Sequence, residues 1–212
     1  MKKQVAKDLL SIRAVFLRPE EPFTWASGIH SPIYCDNRLT LSYPDVRGRI
    51  EHALAEIIRR EYPECEAVMG TSTAGIPHAA IVADILGLPM GYVRASAKDH
   101  GRNNQIEGRC APGTKVVVIE DLISTAGSVV EVAEVLRAAG AVVLGVASIF
   151  TYGMKKAEAR FAEHQLTNHS ASDYDTLLQV AAEEGILRPE QIPALLAFRD
   201  HPEDESWIAA AK

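Results

Sequence analysis

The stretch Val116-Val-Val-Ile-Glu-Asp-Leu-Ile-Ser-Thr-Ala-Gly-Ser128 joins an apolar run, two adjacent carboxylates and a turn of small residues. A buried strand would carry Glu120 and Asp121 to its carboxyl end, where ligands bind in open α/β sheets. The turn from Ser124 to Ser128 runs straight into a helix, so backbone N–H groups, hydroxyls and a helix N-terminus converge as a phosphate cradle. Acids beside an anion site are compatible when one ligand carries both hydroxyls and a phosphate. Ribose 5-phosphate does: the acids take the 2′- and 3′-hydroxyls and the turn takes the phosphate. The acidic pair alone would equally suit a metal or phosphoacceptor site of a receiver-like fold, or a solvated loop. No Gly-Lys-Ser/Thr ends the string and GxGxxG is absent, so it is neither a P-loop nor a dinucleotide fingerprint.

The whole string resembles the signature with which type I phosphoribosyltransferases bind phosphoribosyl pyrophosphate (PRPP). That resemblance implies a five-stranded parallel core, a flexible lid and a hood that selects the base. It also implies PRPP contacts from Glu120, Asp121, Leu122, Ile123, Ser124, Thr125, Ala126, Gly127 and Ser128. The base stays open on this signature alone, since purine phosphoribosyltransferases and PRPP-sensing regulators are alternatives.

The segment Tyr92 to Arg102 carries Arg94, Lys98 and His100 in a polar, glycine-bearing context. Cations on a loop that opens and closes would stabilise charge developing on departing pyrophosphate and keep water from the activated sugar. The bland reading is a solvated basic loop. R-x-x-x-K-x-H-G just ahead of the first string resembles the catalytic loop of the orotate phosphoribosyltransferases. Phe23-Thr-Trp-Ala-Ser-Gly-Ile-His-Ser-Pro-Ile-Tyr34 resembles their hood, and Asp173-Tyr-Asp175 and Phe198 to Glu203 are similar to their ending.

For this chain the family implies a homodimer whose lid loop, about 94–110, reaches into the neighbouring subunit. Arg94, Lys98, His100, Glu120 and Asp121 would be catalytic, with Ser124, Thr125 and Tyr34 near orotate. Thr71, Ser72 and Thr73 would meet pyrophosphate. Mg²⁺ would be held mainly by PRPP and water, with no protein cage. The reaction implied is ribosyl transfer with inversion through an oxocarbenium-like transition state, a charge division shared with glycoside chemistry. The chain departs from enteric members at Ala26, Ala74 and Ala95, where they carry lysine. Phe150-Thr-Tyr152 also replaces the region of their carboxylate-binding arginine. The wording is closer to the Gram-positive branch.

What must position these residues is an α/β fold. The 212 residues are 47% apolar and 24% charged, in the range of one globular domain with a hood at about 1–43 that C-terminal residues complete. A net charge of -6 gives no global field for nucleic acid. Cys35, Cys65 and Cys110 lack CxxC spacing, which fits a reducing compartment rather than disulfides or structural zinc. No signal region or membrane-length apolar run is visible, so a cytoplasmic protein is expected.

Val5, Leu9, Ile12 and Phe16 predict an amphipathic helix, followed over 19–43 by an irregular arm with short extended pieces. Pro44 should open a helix reaching about Glu61. Strands are expected at Ala67–Gly70, Pro89–Val93, Val116–Ile119 and Ala141–Phe150, with helices over Ile76–Leu86 and Ser128–Ala139. Such strands, apolar on both faces, predict a central parallel sheet flanked by helices. Beyond Phe150 the pattern predicts a helix over Lys155–Glu163 and a short strand near Leu166. A helix capped by Ser172 should follow, then a last helix after Pro189. The histidines other than His100 show no metal spacing and read as structural or solvated, with His30 left open because it lies in the hood. Trp25 and Tyr34 suit either base stacking or packing, and Trp207 reads as the anchor of the last helix.

Overall fold

Strands that are apolar on both faces need helices on both sides, and a computed structural model of the chain has that arrangement. It describes residues 1–25, 27–95 and 105–212. The N-terminal part comprises α1 (Lys2–Ser11) and four short strands, β1 (Val15–Leu17), β2 (Phe23–Thr24), β3 (His30–Ser31) and β4 (Ile33–Cys35). β1 pairs antiparallel with β4, and β2 with β3. A 3-10 turn over Asn37–Ser42 leads into α2 (Pro44–Glu61).

The alternating region follows as β5 (Ala67–Thr71), α3 (Gly75–Leu86), β6 (Met90–Val93), β7 (Ile106–Glu107), β8 (Lys115–Ile123), α4 (Gly127–Ala138) and β9 (Val142–Thr151). The chain continues through α5 (Lys155–Glu163), β10 (Asn168–Asp173), α6 (Tyr174–Glu183), α7 (Ile192–Asp200) and α8 (Ser206–Ala210). Among the described residues the main sheet runs β10-β9-β8-β5-β6-β7, with five parallel strands and an antiparallel edge at β7.

Val116, Val117, Val118 and Ile119 are all fully buried. Their alternation serves two cores: Val117 and Ile119 join the cluster of α2 and α3, while Val116 and Val118 join that of α4. This places β8 at the centre of the sheet and its carboxyl end over the middle of the molecule. No described helix is long and apolar enough to cross a membrane.

Four expectations are corrected. Phe16 is not helical: α1 stops at Ser11, Arg13 turns left-handed at φ 56°, and Phe16 pairs with Tyr34 in β1. Ser172 does not cap α6, because its hydroxyl donates to the Lys2 carbonyl at 3.0 Å; Asp173 caps instead, accepting from Thr176 N at 2.8 Å. The last long strand spans Asn168–Asp173 rather than lying at Leu166. Its Ser170 and Asn168 side chains bond Ser148 at 2.6 and 2.9 Å, so polar pairing replaces the apolar signal. Finally, β8 continues to Ile123, so Glu120 and Asp121 lie inside the strand rather than at its end.

Candidate active site

Glu120 is only 5% exposed, and three donors account for its placement. The Thr71 hydroxyl stands 2.7 Å from Oε1, the Asp121 N–H donates to the same oxygen at 3.0 Å, and Ser128 Oγ lies 3.3 Å from Oε2. Burial, and after it the charge of Asp121, pushes the Glu120 carboxyl up to about 8, while the Thr71 hydroxyl opposes the rise. Thr71 is itself buried at the end of β5, next to β8 in the sheet. Gly75 permits this approach, since a Cβ there would collide with the Ile119 carbonyl and Thr71 Oγ1. Asp121 is half-buried, and Asn37 Nδ2 donates to its carbonyl at 2.7 Å, tying the arm to β8.

The turn after β8 is shaped for an anion. Ala126 lies in the left-handed region at φ 61° and is 4% exposed, a conformation costing about 1–2 kcal/mol for a residue with a Cβ. It is also the N-cap of α4, and a methyl group accepts no hydrogen bond. The first amides of α4 are therefore left without a capping side chain, as a phosphate site requires. α3 likewise starts after Ala74 with no side-chain cap. Two helix N-termini thus stand at the carboxyl ends of neighbouring strands β5 and β8, and both favour negative charge.

A small cavity of about 110 Å³ brings Thr71, Ser72, Arg94 and Ser128 together, with Ala95 and Gln105 on its wall. Thr73 is exposed on the same loop, and the Ser72–Thr73 peptide is cis. Arg94 follows β6: its N–H donates to Gln105 O at 2.9 Å, and its Nε is 3.5 Å from Glu107 Oε1. Lys98, His100 and Ala26 lie outside the described residues. Leu122 is half-buried, whereas Ile123 buries its side chain in the core and its carbonyl accepts from Tyr152 N at 3.0 Å.

A larger cavity of about 990 Å³ lies on the other flank of the turn, lined by Ser124 and Thr125, by Trp25 and Ile29, and by Lys155, Lys156 and Arg199. Arg199 is committed to Asp175 and Asp200, and Lys155 Nζ is 3.5 Å from His201 Nε2. Trp25 stacks near Tyr152 and Phe198 at ring distances of 5.4 and 5.9 Å, and Phe198 packs on Trp207 at 5.5 Å. N-terminal arm and C-terminal helices therefore share one aromatic cluster, and its Trp25 lines this cavity. Tyr34 is outside its lining; 42% exposed, it sits 5.7 Å from the Phe23 ring. His30 bridges to Glu205 at 2.7 Å, and His78 is buried against Glu51 at 2.6 Å.

Sequence reasoning missed Asn37, Lys155, Lys156 and Arg160, which reach the site only through tertiary contacts and carry no local signal. Arg199 was within the C-terminal resemblance, though not singled out.

Residues 42–177 match the sequence family described as phosphoribosyl transferase domain. The orotate phosphoribosyltransferase of Bacillus subtilis (strain 168) is 56% identical over 208 residues, covering 98% of this chain and 96% of that protein. That of Enterococcus faecalis (strain ATCC 47077 / OG1RF) is 57% identical, covering 95% of this chain and 96% of its own length. Among solved structures, orotate phosphoribosyltransferase from Aeropyrum pernix superposes with a TM-score of 0.74 at 31% identity, covering 86% of this chain and 98% of its own.

Proposed function

The chain belongs to the orotate phosphoribosyltransferases, enzymes that move ribose 5-phosphate from PRPP to orotate in pyrimidine biosynthesis, and on that premise we propose how its own residues carry the reaction. Glu120 and Asp121 hold the ribose 2′- and 3′-hydroxyls and stabilise the ring as it gains positive charge. The turn from Ser124 to Ser128 fixes the 5′-phosphate. Arg94, Lys98 and His100, with Thr71 to Thr73, receive the pyrophosphate. The C1′–O bond to pyrophosphate breaks with its electron pair leaving on oxygen. N1 of orotate then bonds C1′ from the opposite face, and its proton passes to the departing pyrophosphate or to water.

The observation that carries this reading is the buried Glu120, held by Thr71 and Asp121 N–H beside an α4 N-terminus that no side chain caps. It joins an acceptor for sugar hydroxyls to a site for phosphate. The large cavity supports a base site between Trp25, Ser124 and Thr125. Phe150-Thr-Tyr152 occupies the region where enteric relatives have an arginine, with both rings buried, so Lys155 and Lys156 are the cations left to meet the orotate carboxylate. When bound, Mg²⁺ would neutralise pyrophosphate oxygens; Glu120 and Asp121 are the acids at hand, and PRPP and water supply most ligands. The assembly is a homodimer that shares its lid, in a cytoplasmic setting that suits the three free cysteines.

Orotate absorbance followed with PRPP and Mg²⁺ tests the assignment. Orotate should disappear as pyrophosphate forms in equal amount, stop on chelation of Mg²⁺, and not be replaced by adenine or hypoxanthine. Consumption of a purine base, or PRPP binding with no turnover of any base, would contradict it.

A further inference from the structure

Arg160 on α5 reaches back thirty-five positions in sequence to the turn after β8. Its Nη1 donates to the Thr125 carbonyl at 2.9 Å and to Thr125 Oγ1 at 3.2 Å. The same Nη1 would stand 2.9 Å from a Cβ at Gly127. Gly127 is not in the left-handed region, so glycine's backbone freedom is not what the position uses. What it provides is room for the guanidinium. Nε and Nη2 make no hydrogen bond among the described residues, and no described carboxylate pairs with Arg160. By contrast Arg199 and Arg137, on neighbouring elements, are both spent on acids.

Charge decides what this geometry is for. A phosphomonoester brings about -1.5 to -2 charges, whereas a helix N-terminus offers the equivalent of roughly +0.5. The α4 amides therefore orient the phosphate but offset only part of its charge. The half-buried Arg160, with its guanidinium against the same turn, supplies a full positive charge, and guanidinium N–H groups suit phosphate oxygens.

We infer that Arg160 is a binding residue for the 5′-phosphate, shared by PRPP and orotidine 5′-monophosphate. The inference rests on reading the turn from Thr125 to Ser128 as the 5′-phosphate site.

The reaction run in both directions tests it, because two of its four ligands carry that phosphate and two do not. Arg160→Gln should raise KM for PRPP and for orotidine 5′-monophosphate about ten- to a hundredfold, the loss expected for a charge-assisted contact. KM for orotate and for pyrophosphate should stay at the wild-type value, and Arg160→Lys should recover part of the loss. A merely structural arginine would move all four constants together, or lower only thermal stability. Either of those results overturns the role. In parallel, ribose 5-phosphate is titrated into the wild-type protein while the backbone amide NMR signals of Ala126 to Ser128 are followed. If they shift and Arg160→Gln still leaves the phosphate ligands unaffected, the turn is the phosphate site without Arg160. If they do not shift, the turn reading fails and takes the Arg160 role with it.

Discussion

Lys98→Ala should lower kcat about 10²- to 10³-fold while PRPP still binds at close to wild-type affinity, the loss seen when one preorganised stabiliser of transition-state charge is removed. The split between the two constants follows from when the charge appears. Pyrophosphate gains negative charge as the C1′–O bond breaks, so a cation aimed at it acts mainly in the transition state. The stem that carries the loop is part of the fold. Tyr92 and Val93 of β6 pair with Glu107 and Ile106 of β7, and Arg94 N closes onto Gln105 O at 2.9 Å. Ser72 Oγ donates to Val93 O at 2.6 Å, fastening that stem to the loop proposed for pyrophosphate. The loop therefore leaves the sheet beside Thr71, Ser72 and Ser128. If it acts on the neighbouring subunit, mixing Lys98→Ala with Asp121→Asn should restore activity that neither variant has alone. Wild-type-like turnover by Lys98→Ala in single-turnover kinetics would remove the lid from the mechanism.

Glu120→Gln should reduce kcat/KM for PRPP about ten- to a hundredfold, because a neutral amide is a weaker acceptor for sugar hydroxyls than a carboxylate. It should also erase a feature of the pH profile. With its carboxyl pushed from 4.5 to about 8 by burial and by Asp121, Glu120 is largely protonated in the free protein at neutrality. Wild-type kcat/KM for PRPP should therefore climb as pH rises through about 8, and the Gln variant should lack that limb. Stability changes in the opposite sense. Folding raises this group's affinity for its proton, so its contribution is fully present below 4.5 and is lost as pH rises through about 8. Glutamine cannot ionise. Denaturant titrations should find the variant gaining on the wild type from pH 5 to pH 9, and a difference that stays flat with pH would contradict the protonated Glu120.

The candidate site was legible where its residues and its local structure coincide. The run from Val116 to Ser128 encodes a buried strand, its acids and a small-residue turn within one contiguous segment, so its local form could be read without tertiary information. The helix from Pro44 to Glu61 was equally plain, with a first-turn proline and regular apolar spacing. Phe16 misled because its spacing continued a helical pattern that Arg13 breaks by a backbone turn. The strand from Asn168 to Asp173 was displaced because it is held by hydroxyl and amide pairs, which hydropathy does not register. Thr71 was assigned to pyrophosphate through the family resemblance. That its hydroxyl also lies against Glu120 could not be read from the sequence, because the pairing arises only when β5 and β8 become neighbours. Arg160 and Asn37 were invisible for the same reason: their partners are set by packing and lie far along the chain.

A crystal structure of the protein with PRPP and Mg²⁺ decides where the sugar and its phosphate sit. The ribose 2′- and 3′-hydroxyls should lie within hydrogen-bond distance of Glu120 and Asp121, and the 5′-phosphate on the amides of Ala126 to Ser128. A 5′-phosphate seated instead against Lys155 and Lys156, with Glu120 still closed on Thr71 and clear of the sugar, would contradict this placement.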